Sequence, residues 1–300
     1  MAMTRENFME LEGVLRTIYD TQMKTKKDYI PKLFNVATSN RSEENHFGIG
    51  GIGLMKKWTG QVTYDNVGKR WKKTYRHEKY DNGLQFEREI FDFKEYKETL
   101  KKSTQMLALS THNTRQTHGL SVFNNAFDTA FPGADTKPLC AATGNGHPFS
   151  PDNTAETQVN AGALDMTPKN IDTIVRNMTE FTDDRGNLLG INPRLILCGN
   201  EYRTKAKEIV GSDRVPYSTE NTINVWNDEL DYMFCPFIKG KKWFLVDPDM
   251  MNLYLNWYDA RIPKLEYDDN FNTEVISYKN LGMWSFGWDE WAFLYGCNLD

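Results

Sequence analysis

The pattern of apolar and polar positions along the chain predicts two long helices, one on each side of a strand-rich segment. Apolar residues recur at helical spacing over 4–27, where Thr4 can cap the first turn. A second helix is predicted over 94–128, with Gly119 as a weak point; it is mostly polar, as is typical of helices that bridge or line a surface. Its narrow apolar stripe consists of Leu100, Leu107, Leu120 and Phe123.

Between these helices the pattern changes twice. Residues 28–46 contain a proline and a polar cluster, which predicts an arm or linker with few core residues. Residues 47–91 contain strand-forming runs rich in Lys and Arg, and the Asn82-Gly83 pair between two such runs is a hairpin signal. A hairpin so thin in aliphatic residues cannot bury a core of its own, so we expect it to project and rest on another surface.

The second half of the chain mixes helices and strands. Thr167 and Pro168 mark a helix start, and "RLILCG" at 194–199 predicts a short buried strand before a helix that ends at Gly211. Aromatic-rich strands follow to the C-terminus. Because strands and helices do not alternate regularly, the pattern favours an α+β fold over a doubly wound α/β fold.

Charge is distributed unevenly along the chain. Residues 1–80 hold 15 Lys and Arg against nine Asp and Glu, whereas residues 81–300 hold 21 against 32. This asymmetry predicts either two solvated surfaces or a basic N-terminal third that lies on an acidic surface of another copy, and charge alone favours the first. With a net charge of −5 the chain does not resemble a dedicated nucleic-acid binder.

Composition restricts location and cysteine chemistry. Neither a run of about 18 apolar residues nor an N-terminal apolar segment is present, so we expect no transmembrane helix, no signal peptide and synthesis in the cytoplasm. Four widely spaced cysteines predict separate buried thiols rather than disulfides or a metal site. They are Cys140, Cys198, Cys235 and Cys297.

Three glycines, Gly48, Gly50 and Gly53, match the G-x-G-x-x-G fingerprint of dinucleotide-binding proteins. That fingerprint requires a buried strand before it and a helix after it, and the flanking residues predict neither, so a flexible loop is favoured. "DDRGN" at 183–187 resembles part of a calcium loop but lacks its later acidic positions, which favours a turn. The five histidines lack metal-ligand spacing, so we expect no catalytic residue, cofactor or metal.

The order of several segments resembles the major head subunit of Mu-like tailed phages over about residues 45–297. These segments are "GIGLMKKWTGQ", the basic hairpin, "YDNGLQFEREIFDF", the long helix ending in "VFNNAFD", "KPLCAATGNGHPF", "PRLILCGNEYRTKAKEIVGSD", "KWFLVDP" and "WDEWAFLYG". Matches to the family pattern include Trp58 with Gly60, Phe86 with Glu87, Pro138 with Leu139, and His147 with Pro148, whereas Cys140 stands where Phe is usual.

The resemblance implies the Hong Kong 97-type capsid fold. Its parts would be an N-terminal arm (1–46), an extended β-hairpin loop (47–91), the spine helix with the peripheral domain (92–164), an axial domain (165–262) and C-terminal strands that return to the peripheral domain (263–300). The extended loop and arm would contact neighbouring subunits. The interface residues implied are Trp58, Arg70, Trp71, Lys72, Lys73 and Arg76.

By the same resemblance, the function is structural. The chain would be a major capsid protein that self-assembles into hexamers and pentamers of an icosahedral head, in a virion assembled in the host bacterial cytoplasm. It would enclose double-stranded DNA without sequence specificity and without a membrane, and scaffold, portal and decoration proteins are further candidate partners. An encapsulin-like or domesticated prophage compartment is the alternative. A nucleotide-binding enzyme, which rests only on Gly48, Gly50 and Gly53, is the competing class.

Overall fold

Two β-sheets and one long helix organise the chain in the computed structural model, which describes residues 5–62, 64–87, 96–216, 222–270 and 275–300. The helices are α1 (Arg5–Thr25), α2 (Ile30–Leu33), α3 (Tyr96–Asn124), α4 (Pro168–Thr179), α5 (Arg203–Gly211) and α6 (Pro248–Tyr254). The strands are β1 (Asn35–Thr38), β2 (Glu43–Ile49), β3 (Lys69–Arg76), β4 (Glu78–Glu87), β5 (His147–Ser150), β6 (Asn153–Gln158), β7 (Ala161–Gly162), β8 (Leu195–Cys198), β9 (Asp231–Phe234), β10 (Lys242–Val246), β11 (Leu255–Asn270), β12 (Val275–Trp288) and β13 (Leu294–Asn298).

A five-stranded sheet, in the order β7-β13-β10-β8-β9, carries the main core. The β8 residues are all buried, as expected for a short run without polar alternation, and β10 places Trp243 and Phe244 out of solvent entirely. Helix α4 covers this sheet with Ile171, Ile174 and Met178. Its start is the one predicted, since the Thr167 side chain accepts a hydrogen bond from the Asn170 amide and Pro168 opens the first turn.

A four-stranded sheet, in the order β1-β11-β12-β4, contains the longest strands. β11 and β12 pair antiparallel from Leu255 with Trp288 to Asn270 with Val275. The last strand, β13, pairs instead with β10 in the other sheet. The predicted C-terminal strands are therefore divided between the two sheets, and the assignment of chain segments to domains stays a prediction.

Helix α3 joins two hydrophobic clusters. At 29 residues it is about 43 Å long, at roughly 1.5 Å per residue. All four residues of its predicted apolar stripe are buried. Leu100 and Leu107 pack in a smaller cluster with Leu15 and Tyr19 of α1, whereas Leu120 and Phe123 pack in the main core.

The segment after α1 is not the poorly buried linker that its polarity predicts. Tyr29, Ile30, Leu33 and Phe34 all belong to the main core. They pack beside Gly119, where a Cβ atom would lie 3.3 Å from Ile30 Cγ1 and 3.5 Å from Phe34 Cε2. Gly119 is therefore a site of close packing rather than a break, and α3 continues through it.

The predicted turn at Asn82-Gly83 is wrong. Both residues lie inside β4, where Asn82 pairs with Asn280 and Gly83 with Lys279 of β12. Tertiary pairing with a long neighbouring strand outweighs the local turn preference of the Asn-Gly pair. The predicted continuation of this strand through 88–93, the predicted helix start at 94 and the cap at Thr4 lie outside the described residues.

Candidate functional site

The strands β2 and β3 form a two-stranded antiparallel ribbon, from Glu43 paired with Arg76 to Ile49 paired with Lys69. The ribbon carries residues 50–68 between its ends, and we give the name extended loop to this segment alone, in place of the whole of 47–91. A two-stranded ribbon joined by a long connection replaces the single hairpin that the sequence predicts, because β4 leaves the ribbon for the four-stranded sheet.

The base of the extended loop is fastened to the turn at 183–187. The Gly51 amide donates to Asp184 Oδ1 at 2.6 Å, and Arg185 pairs with Asp65 Oδ2 at 2.5 Å and donates to the Asn66 carbonyl oxygen. The hydrogen bond from Arg185 and a second from the Gly53 amide lower the pKa of Asp65. The "DDRGN" turn therefore docks the loop.

These contacts also bear on whether Gly48, Gly50 and Gly53 form a dinucleotide-binding site. A phosphate-binding loop presents free amide groups at a helix N-terminus. Here the amides of Gly51 and Gly53 already donate to the carboxylates of Asp184 and Asp65, which would repel phosphate. Gly48 lies in β2, and the described residues of 50–68, which are 50–62 and 64–68, include no helix. The arrangement does not support a dinucleotide site.

The same turn does not form a calcium loop. Asp183 accepts hydrogen bonds from the amides of Arg185 and Asn187 and from the Asn187 side chain, so its oxygens are occupied within the turn. Burial opposes ionisation of Asp183, but these hydrogen bonds outweigh it and hold its pKa below the usual value. Across the described part of the chain, no three His, Cys, Asp or Glu side chains are grouped to hold a metal ion.

Beyond its base, the extended loop exposes apolar side chains. Met55 is fully exposed, and Trp58 is 67% exposed. Apolar surface grouped in this way usually marks an interaction site. The other strongly exposed apolar residues of the loop are Ile52, Leu54, Val62, Tyr64 and Val67.

The basic residues predicted for the interface take two different positions on the ribbon. Arg76 is exposed and lies 3.5 Å from Glu43 across the ribbon, and Lys72 lies over the Phe47 ring. Trp71 is half-buried. These three side chains remain candidates for contact with a neighbouring subunit.

Arg70 and Lys73 are directed instead to the rest of the same chain outside the ribbon and the extended loop, which we call the body. Arg70 pairs with Glu290 at 2.9 Å and donates to the Phe149 carbonyl oxygen at 2.8 Å. Lys73 lies over the Trp288 ring, and burial lowers its pKa. Both side chains attach the ribbon to the body.

Asp289 is the second attachment point of the ribbon. It accepts hydrogen bonds from Tyr75 Oη at 2.6 Å and Asn256 Nδ2 at 2.8 Å, and it lies 2.7 Å from His46 Nδ1. The opposite ring nitrogen of His46 lies 2.7 Å from Tyr258 Oη. We call the contacts of Arg70, Lys73, His46 and Tyr75 with residues 288–290 the junction.

The sequence reading missed the acidic side of the junction. Asp289 and Glu290 stand between two tryptophans in "WDEW", inside an otherwise apolar segment, and adjacent carboxylates in such a setting are a usable signal for a buried polar contact. The four cysteines do follow the prediction, since all are free and buried. Burial raises the pKa of Cys198 to about 12, so this thiol is unreactive at neutral pH.

Solved structures with the same fold are phage and virus-like shells. The chain is similar to the decorated capsid of bacteriophage JBD30 (TM-score 0.54, 13% identity, 72% of this chain and 92% of that one). It is similar to the procapsid of the same phage (TM-score 0.55, 10% identity, 99% and 76%). It is also similar to the virus-like particle from Pyrococcus furiosus (TM-score 0.54, 9% identity, 95% and 98%). The fold is thus the Hong Kong 97-type capsid fold of mixed α and β structure.

The family follows from a separate comparison. The family model described as phage capsid protein matches residues 71–296, which is most of the chain. The chain therefore belongs to the phage capsid protein family. It is a major capsid protein with a structural role in the virion, and neither the compartment alternative nor the nucleotide-binding enzyme is favoured.

No curated protein matches the chain. Among its described helices, none combines the length and the apolar character that crossing a membrane requires.

Proposed function

We propose that this chain assembles with copies of itself into hexamers and pentamers of an icosahedral shell, and that the extended loop packs on a neighbouring subunit. The carrying observation is the group of exposed apolar side chains on a loop whose base is fixed to its own body. The base of this loop is fixed to the 183–187 turn through Gly51 and Asp65, and Met55 and Trp58 stay exposed beyond it. Burial against a neighbour removes this apolar surface from water.

The proposed contents of the shell are double-stranded DNA held without sequence specificity. A net charge of −5 supports containment rather than tight binding, because affinity for DNA depends on cationic side chains that neutralise phosphates. Scaffold, portal and decoration proteins are proposed as further partners, with assembly in the host cytoplasm. We propose no enzymatic activity for the chain.

The test compares two exposed apolar residues. Trp58→Ala removes the largest exposed ring of the loop, and we expect it to leave subunit stability within about 0.5 kcal/mol while it prevents or weakens shell formation. Ile262→Ala, at a side chain that is 55% exposed on β11, is the control. Negative-stain microscopy and sedimentation of purified wild type should show shells.

Two results would contradict the proposal. One is normal shell yield and stability in Trp58→Ala and also in a variant whose residues 54–62 are replaced by a Gly-Ser linker. The other is a wild-type protein that remains a 34.8 kDa monomer under all assembly conditions.

A further inference from the structure

The ribbon is attached to the body through side chains rather than through a backbone ladder. Among the described strands, β2 and β3 pair only with each other. The junction holds the ribbon along its length, from Tyr75 near one end to Arg70 near the other, and the turn at 183–187 holds the base of the extended loop beyond it. The orientation of the extended loop therefore depends on a small set of polar and aromatic side-chain contacts.

Acidic groups are crowded at the junction. Glu290 is adjacent to Asp289, and Asp135 lies near enough to influence it. Asp289 and Asp135 are each held by several donors, since Asp135 contacts His147 Nδ1 at 2.5 Å and accepts from the Lys137 amide at 3.1 Å. For Glu290 the described contacts give one partner, Arg70, whose Nε atom is buried without a hydrogen bond.

The titratable and charged groups around Glu290 come from every element packed at this place. They are Arg70, Lys73 and Tyr75 of β3, His46 of β2, Asp289 beside Glu290, Asp135 with His147, Tyr254 of α6 and Tyr258 of β11. Of the carboxylates among them, Glu290 accepts from the fewest hydrogen-bond donors. Its ionised form is therefore the least stabilised, and it is the carboxylate that protonation favours most.

We propose that proton uptake at Glu290 strengthens the attachment of the ribbon to the body. Release of the ribbon from the body, which we call opening, is then more favourable at pH 8 than at pH 5.5. This inference goes beyond the proposed assembly, because it concerns the subunit alone. It makes the junction a clamp whose strength changes across the mildly acidic to neutral range.

The sign follows from proton linkage. Burial raises the pKa of Glu290 from 4.5 to about 7, with Arg70 opposing the rise and Asp135 and Asp289 adding to it. Opening exposes the carboxyl to water and returns its pKa toward the ordinary value, so the open ribbon binds fewer protons than the closed one. A rise in pH therefore favours opening, and from pH 5.5 to 8 the opening equilibrium constant should increase roughly 20-fold to 30-fold.

Lys73 acts in the opposite direction. Burial lowers its pKa, so the closed junction favours the neutral amine and opening takes up a proton. Opening through Lys73 is thus favoured as pH falls.

The experiment is hydroxyl-radical footprinting of the full-length protein, read by mass spectrometry at Tyr75, whose side chain is buried while the ribbon lies on the body. Labelling rates are measured from pH 5.5 to 8, each divided by the rate for free tyrosine at the same pH, with one assembly state confirmed at each pH. We expect opening to rise with pH in the wild type. Glu290→Gln should abolish the rise, whereas Glu266→Gln, at an exposed ion pair, should keep it.

A second variant keeps the test decisive if Glu290→Gln does not fold. Arg70→Met removes the cation that opposes protonation, so the rise should move to higher pH. An unchanged profile in Glu290→Gln, or no upward movement in Arg70→Met, would overturn the proposal. Because labelling is read at a side chain buried within one subunit, these results are independent of whether Trp58 contacts a neighbour.

Discussion

The five-stranded sheet and the extended loop use the same kinds of side chain to opposite effect. In the sheet, Trp243 and Phe244 are fully buried, whereas in the loop Trp58 and Met55 lie mostly or wholly in water. Full burial of one large apolar side chain contributes about 1.5–3 kcal/mol, and the loop leaves this contribution unused within its own subunit. An apolar residue in the sequence therefore does not by itself show whether its side chain is buried within its own chain.

The largest expected effect tests the buried side of this comparison. Phe244→Ala removes a ring that contacts Phe123 and Phe127, and we expect a loss of about 3–5 kcal/mol in the free energy of unfolding. Urea denaturation of the unassembled subunit measures it, with Trp58→Ala as the matched aromatic truncation. Equal losses in the two variants would show that the loop is packed within its own subunit.

A buried ion pair extends the comparison to charged groups. Arg115 of α3 forms a bidentate salt bridge with Asp259 of β11, through hydrogen bonds of 2.8 and 2.9 Å, and both side chains are largely buried. Asp259→Ala leaves the guanidinium unpaired and should cost about 3–5 kcal/mol of stability.

The control for this pair lies on the surface. Glu266 contacts Arg261 and Lys279 with all three side chains partly exposed, so Glu266→Ala should cost no more than about 1 kcal/mol. Thermal unfolding of both variants gives the comparison. A cost for Asp259→Ala no larger than that for Glu266→Ala would mean that burial does not govern these pairs.

The smallest change in global unfolding is expected from a substitution at the base of the loop. In Gly51→Ala the new Cβ would lie 2.3 Å from Asp183 Oδ2, and Asp183 is held by its own hydrogen bonds. We expect the loop base to leave the 183–187 turn, with a local cost of about 1–3 kcal/mol and little change in global unfolding. Limited proteolysis near residues 50–68 should be faster than in the wild type.

In Gly186→Ala the new Cβ would meet no other atom, but Gly186 has a positive φ of 79°. This substitution therefore strains the backbone of the turn and does not clash with the contact between Gly51 and the turn. Proteolysis at wild-type rate in Gly51→Ala would contradict the docking role of this turn.

Predictions from the sequence were most accurate for single helices, whose buried face and first turn depend on residues close together in the sequence. The stripe of α3 and the capped start of α4 at Thr167 follow from periodicity and local hydrogen bonding, and both are present as predicted. The sequence prediction was wrong at Asn82-Gly83, because a local turn preference says nothing of the long strand that pairs with it. It also undervalued residues 29–34, since four apolar residues in a polar context give too short a pattern to indicate a core.

The candidate site shows the same limit. Trp58 was singled out through the resemblance to phage head subunits, and its side chain is 67% exposed. The division of Arg70 and Lys73 from Lys72 and Arg76 could not be predicted from the sequence, since it depends on Asp289 and Glu290, more than 210 residues away along the chain.

The sequence by itself determined the periodic elements, the α+β class and, through the order of its segments, the resemblance to phage head subunits. Only the tertiary structure decided how these elements are connected: that β4 joins β12, that the "DDRGN" turn holds the extended loop, and that Glu290 faces Arg70. The physical reason is that helices and caps are stabilised by residues close in sequence. Strand pairing and buried charge contacts depend instead on partners that only the folded chain brings together.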